Sequence, residues 1–446
     1  MALLLKSLAA FALCLLAASL GQIPAQSSSS TKRHVPPDAT SQELQRLLAA
    51  AADAVNKQDF ETAAQDYRDY LAKKPDDAFV HYNLGYTYTA LERADDAKAE
   101  YEKAIALDPA NPQMEPAYRS LGMTLLTKDP RAAIDPLERA AALQPHDARA
   151  KWLLGTALER SGQLGPAIEQ FQAAEKLDGQ DVGINASLSY ALFSAGRYAE
   201  AEASYRATLA LHPEGATLRQ VHLGMANCLV GQKKLAEAVS ELAAYLELAP
   251  NDTGARIERA SALVDLGKDD DALAELDRAA AAGPETLEAL KLRSQIYWET
   301  KRYDDAIPVL AKAAALAPRD PNIADRLGRV YLEKKDYPNA LHWLVAAYDM
   351  NPAANDLLSE VVQAEYLNKN YAVALAALDT LSKRQELPAA SWYLRATCYD
   401  KLGQLPEALE AYQRFLQLNK DENSDMYFVS TSRVRTLTRE LKDKKR

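Results

Sequence analysis

The chain has 446 residues, 26% of them charged, and a formal net charge of −10 with acid and base interleaved. No run of lysine and arginine is long enough to hold nucleic acid, and the acidic balance argues against DNA, RNA or anionic lipid as the main partner. The length alone would suit about three ordinary domains, an expectation that the internal periodicity overrides.

The chain opens with Lys6, an apolar run over 7–21, and small residues at Ser19, Gly21 and Ala25. This is the pattern of a secretory signal peptide over 1–25, which predicts export to the periplasm or the medium. The run is shorter than the ~20 apolar residues that cross a bilayer, so no membrane span is expected in the mature chain. Residues 26–41 carry a run of four serines (27–30) and Pro36-Pro37 without apolar period, and read as a flexible linker. Thr40 with Glu43 fits a capping box at the start of the first helix.

From 42 to 422 one pattern returns about every 34 residues. Residues 78–109 show it best. Leu84, Gly85 and Tyr88 lie on one face of a first helix; Ala97, Tyr101 and Ala104 lie on one face of a second, and Pro109 closes the unit. The closing place is held by Pro75, Pro109, Pro145, Gly179, Pro213, Pro250, Pro284, Pro318, Pro352, Glu386 and Lys420. Two steps are longer, through insertions at 110–114 and 214–218, where the stack is expected to bend. Twelve residues before each closing place stands alanine, from Ala63 to Ala408, eleven times out of eleven. A small side chain there lets two helix backbones approach. Four residues later a bulky one follows, such as Tyr101, Phe171 or Leu344, and the first helix carries a small residue such as Gly85, Gly122 or Gly155. Gly162, Gly196, Gly267 and Gly403 share one place between the helices, where positive φ ends a helix cheaply.

These residues resemble the tetratricopeptide repeat, whose motif includes L-G-x2-Y, then A-x3-F/Y, then a closing proline. The resemblance covers about eleven repeats and implies an all-α, right-handed α-solenoid whose repeats share one continuous core. Arg259, Arg293 and Arg395 stand where leucine is usual, and their stems are expected to lie over the core with the charged heads in water. Pro136 and Pro308 fall past the first turn of their second helices, where proline is costly. After the array, 423–446 reads as a capping helix with Val434, Leu437 and Leu441 on one face, followed by a basic tail.

No catalytic constellation stands out. The six histidines form no ligand-spaced cluster, and His81 and His222 share one repeat place that reads as helix surface. Acidic runs at 269–271 and 304–305 suit the positive end of the following helix better than a metal. Cys228 and Cys398 sit five periods apart, too far for a bridge, and read as buried thiols. The repeats leave no room for a catalytic domain. A non-catalytic chain without metal or cofactor is therefore expected.

The resemblance also implies that the first helices line a concave groove that binds protein or peptide segments. Carried onto this chain, the groove residues are Tyr82, Tyr86, Arg119, Trp152, Tyr190, Phe193, Lys291, Trp298, Arg326 and Arg329. The front half is aromatic and the back half charged, and some of these residues would pack between repeats. Similar arrays serve as accessory subunits of envelope polysaccharide, outer-membrane assembly or secretion machines, which is the second reading. Exposed array ends also allow self-association.

Overall fold

The structure, a computed structural model, describes residues 39–421 and 423–443. The expected signal peptide, most of the expected linker and the last residues of the basic tail lie outside the described residues. Among those described are twenty-three α-helices, one 3-10 turn and no strand. No helix among them is long and apolar enough to cross a membrane.

The chain divides into two units, 1–234 and 235–446. The first holds α1 (Ala39–Asn56), α2 (Phe60–Lys73), α3 (Ala78–Ala90), α4 (Ala94–Leu107), α5 (Glu115–Leu125), α6 (Ile134–Leu143), α7 (Ala148–Arg160), α8 (Leu164–Leu177), α9 (Val182–Ser194), α10 (Tyr198–Ala210) and α11 (Gly215–Gly231). The second holds α12 (Leu235–Leu248), α13 (Thr253–Asp265), α14 (Asp269–Ala282), α15 (Leu287–Glu299), α16 (Tyr303–Leu316), α17 (Pro321–Glu333), α18 (Tyr337–Met350), α19 (Asn355–Leu367), α20 (Tyr371–Ser382), α21 (Ala389–Lys401), α22 (Leu405–Leu418) and α23 (Asp425–Asp443). Within each unit, odd-numbered first helices pair with even-numbered second helices, and each pair stacks on the next.

The small-residue positions explain the pairing. All eleven register alanines are 0% exposed, and the bulky residue four places on is buried in every repeat. A Cβ built on Gly155 would stand 2.7 Å from the Phe171 ring, and one on Gly122 would stand 2.4 Å from Leu137 Cγ. Contacts this close leave no space for a methyl group, so glycine sets the distance between α7 and α8 and between α5 and α6.

The turn between helices demands a left-handed residue. Gly162, Gly196, Gly267 and Gly403 have φ of 71–82°, and the same place in other repeats is held by Gln58, Glu92, Lys233, Lys301, Lys335 and Lys369 at φ of 56–65°. The geometry thus persists where the sequence shows no glycine. Helix starts follow a second rule. Two residues after the closing place stand Asp77, Asp147, Asp181, Asp252 and Asp320, and each carboxylate accepts a backbone N–H of the first helix it precedes.

Several expectations are corrected. Thr40 is no cap, because α1 already includes Ala39; Glu43 instead meets Lys73 at 3.3 Å. Residues 39–41 are helical rather than linker. Pro136 falls within the first turn of α6, where its missing N–H costs little; Pro308 does lie inside α16. The two insertions become a 3-10 turn at Pro112–Met114 and extra length in α11, which has 17 residues.

The arginine heads are not in water. Arg293 is 8% exposed and donates to Asp277 at 2.5 Å; Arg259 donates to Glu275 at 2.5 Å; Arg395 pairs with Asp379. Glu275, 2% exposed, also receives Arg256 and Arg278, so this repeat buries an ion cluster where others bury leucine, while Asp277 and Asp379 stay largely exposed. His81 is likewise buried, not surface. Its Nδ1 lies 2.5 Å from Glu100 and its Nε2 lies 2.8 Å from the Pro75 carbonyl, tying the α2–α3 turn to α4.

The last helix, α23, packs on the pair before it. Leu437 is fully buried against Ala408, Ala411 and Tyr412, with Val434 beside it, while Arg433 pairs with Asp400 at 2.6 Å.

Candidate protein-binding surface

In the first unit the relevant faces belong to α3, α5, α7 and α9. Tyr82 and Tyr86 are half-buried on α3, and burial pushes both phenols upward. Tyr82 tilts against Tyr101 of α4 with ring centroids 6.0 Å apart. Arg119 on α5 lies 3.5 Å from both Glu115 and Asp147. Burial raises the Glu115 carboxyl; the nearby arginine opposes this, and Asp147 adds to it. Trp152 on α7 is held on two sides. Its indole N–H donates to Ser187 of α9 at 2.9 Å, and the Arg149 guanidinium lies 4.7 Å over its ring. Trp152 therefore seals one repeat to the next. Phe193 is half-buried with its ring centroid 5.9 Å from Tyr198, whereas Tyr190 is 52% exposed.

Two further apolar groups stand exposed on these faces. Phe79 is 45% exposed and Met123 is 37% exposed. Phe79, Tyr82 and Tyr86 follow the i, i+3, i+7 spacing of one helix face, a signal that was present in the sequence.

In the second unit four of the predicted residues meet. Lys291 and Trp298 of α15, with Arg326 and Arg329 of α17, line a cleft of about 460 Å³. Its apolar surface comes from Leu292, Leu310 and Ile323, and its polar walls include Glu288, Gln295, Asn322 and Asp325. Lys291 donates to Asp320 at 2.7 Å, which lowers that carboxyl and steadies the cap of α17. Arg329 lies 5.3 Å over the Trp298 ring and about equally far from Asp325 (4.0 Å) and Glu360 (3.9 Å). The Trp298 ring centroid is 5.6 Å from that of Tyr303. One oxygen of Asp325 is buried without a hydrogen-bond partner, and burial pushes its carboxyl upward. The remaining predicted residues lie in the other unit, so the structure does not gather all ten into one described site.

Chemically the cleft offers an apolar floor, an indole shelf and fixed charges. Aromatic and arginine side chains in partly desolvated grooves are the usual energetic anchors of interfaces. Among the described residues no group of three or more histidine, cysteine, aspartate or glutamate side chains is placed to hold a metal ion. Cys228 and Cys398 are each buried and free, and burial pushes the Cys228 thiol up to about 12 and the Cys398 thiol up to about 11.

Within each unit, fold and surface define a helical-repeat array, in which each pair of helices touches its sequence neighbours. Family models described as tetratricopeptide repeat match residues 128–182, 257–321 and 326–379, then 192–253, 389–422 and 80–111. The chain belongs to the tetratricopeptide repeat family.

Nothing among the curated proteins matches the chain. Among solved structures, MamA from Desulfovibrio magneticus RS-1 is similar at 23% identity, covering 39% of this chain and 97% of that one, with a TM-score of 0.37. Pseudomonas aeruginosa PilF is similar at 22% identity over 46% of this chain and 92% of that one, TM-score 0.37. Yeast Tom70 is similar at 14% identity over 90% of this chain and 96% of that one, TM-score 0.34.

Proposed function

We propose that this chain is an exported, non-catalytic scaffold that holds a protein or peptide segment on its first-helix faces. The observation that carries the reading is the cleft between α15 and α17, where Lys291, Trp298, Arg326 and Arg329 from two successive repeats converge on one apolar floor. An extended segment laid across first helices would seat a side chain on that floor and its polar groups against the walls. The exposed Phe79, Met123 and Tyr190 supply a more apolar surface in the first unit. Export rests on the residue pattern of 1–25.

Capture from an envelope extract tests the binding claim. The chain should retain one or more partners that a Trp298→Ala/Arg326→Ala variant of unchanged helicity loses; equal capture by both would end the claim. N-terminal sequencing of the protein recovered from fractionated cells tests export. A start after Gly21 or Ala25 in the envelope fraction is expected, and an intact Met1 confined to the cytosol would refute it.

A further inference from the structure

The outer face of α23, at the end of the second unit, lies apart from the first-helix faces and carries charge of the opposite sign to the chain as a whole. Residues 425–446 hold seven lysines and arginines against three carboxylates, in a chain whose formal net charge is −10. One side of the helix is taken up by packing: Ser430 and Leu437 are buried, and Val434 is half-buried beside Leu437. Phe428, Ser432, Arg435, Arg439 and Lys442 follow one another at i, i+4, i+7, i+11 and i+14, which sets them in one stripe on the opposite side, and all five are exposed.

Arg433, off the stripe, is committed to Asp400 at 2.6 Å. Arg435, Arg439 and Lys442 have no ion pair or hydrogen-bonded side-chain partner among the described residues. Two carboxylates share the exposed side, Asp425 in the first turn and Asp443 in the last, while Glu440 is half-buried. Lys444, Lys445 and Arg446 follow in the sequence and tip the balance further toward positive charge. Phe428 is 77% exposed at the head of the stripe, with Met426 and Val429 also exposed next to it. No described helix follows α23, so these side chains form a ridge and not a groove.

We propose that this ridge docks on the surface of an anionic lipid bilayer. Phe428 and Val429 enter the boundary between head groups and acyl chains, where an apolar side chain leaves water. Arg435, Arg439 and Lys442 meet the lipid phosphates, their apolar stems lying along the boundary and their charged ends in the head groups. A ridge of cations led by an aromatic ring suits a flat anionic surface, whereas an extended peptide needs walls on both sides. The acidity of the rest of the chain does not forbid the contact, because at physiological salt exposed charges are largely screened beyond about 8 Å. The bilayer is thus a surface on which the end of the array rests, and the inference is independent of the groove reading above.

Sedimentation with vesicles tests it, using the chain from residue 26 onward so that the apolar run of 7–21 cannot itself insert. Vesicles of phosphatidylcholine with roughly a third phosphatidylglycerol should carry the chain down, and vesicles of phosphatidylcholine alone should leave it in solution. Arg435→Gln, Arg439→Gln and Lys442→Gln should each lower the partition coefficient about fivefold. Phe428→Ser should lower it about tenfold. Added salt should release the chain, and Arg46→Gln, at an exposed cation of the first unit, should change nothing. Helicity should be the same in every variant, since the replaced side chains are exposed. Failure to bind the anionic vesicles, equal binding to both kinds, or undiminished binding by the triple glutamine variant would overturn the proposal. If the chain ignores vesicles but forms a dimer in analytical ultracentrifugation that the triple variant loses, the ridge joins two copies and the lipid reading falls.

Discussion

Gly155→Ala separates helix propensity from packing. Within α7, alanine in place of glycine should gain about 0.8–1.0 kcal/mol from propensity alone. The added methyl carbon would stand 2.7 Å from Cδ1 and Cε1 of Phe171, whose ring is 0% exposed. Ordinary carbon contact is about 3.5–4.0 Å, so α7 and α8 must separate or the ring must leave its rotamer. Overpacking of this kind costs about 1–3 kcal/mol. The net expectation is a loss of about 0–2 kcal/mol. Gly165→Ala in α8 is the control, since a Cβ there meets nothing within 4 Å. It should stabilise by about 0.5–1 kcal/mol. Urea denaturation followed by helical circular dichroism reads both variants. The double variant Gly155→Ala/Phe171→Leu should lose less than the sum of its singles, because the two sites share one contact. If Gly155→Ala were as stabilising as Gly165→Ala, the account of glycine as the spacer between paired helices would be refuted.

Lys301, Lys335 and Lys369 hold left-handed φ of 56°, 61° and 65°. Replacing each by glycine should raise the melting temperature, the left-handed region costing a non-glycine residue roughly 1–2 kcal/mol; no rise at any of the three would count against strain in these turns. Arg293→Leu should be neutral or stabilising, since a buried ion pair seldom outweighs apolar packing, whereas Arg293→Ala should destabilise; a severe loss in the leucine variant would show that the Asp277 and Glu285 contacts are needed. Acid should weaken the first unit through Glu202, which hydrogen bonds from Lys234, then Gln232 and Arg206, hold at about 2. Its folded value is depressed, so its contribution is complete above about pH 4.3, the unfolded value, and is lost as pH falls toward 2. Glu202→Gln should flatten the slope of stability between those limits, and an unchanged slope would exclude Glu202 as its source. Asp320, lowered chiefly by Lys291, and Asp252, lowered chiefly by the Tyr245 hydroxyl, act in the same direction in the second unit.

Much of the architecture was written in the residue order. A period of 34 with alanine at one fixed place can be read without coordinates, because close approach of two backbones needs a small side chain wherever it occurs. The bulky residue four places on and the turn glycines follow from the same local rules. The composition of the candidate site was also visible, as aromatic residues in front and charged ones behind.

Which partner each long or polar side chain finds was decided only in three dimensions. Arg259, Arg293 and Arg395 look alike in sequence, yet Arg259 meets an acid of its own repeat, while Arg293 and Arg395 meet acids of the repeat before. His81 looked like surface and proved to bridge Glu100 and a carbonyl. Trp152 and Trp298 both stand on first helices, but the indole of one donates to a serine of the next repeat while the other lines an open cleft. Periodicity records which face of a helix is turned inward. It carries no record of the distance to the neighbouring repeat, and that distance determines whether a side chain is covered or left for a partner.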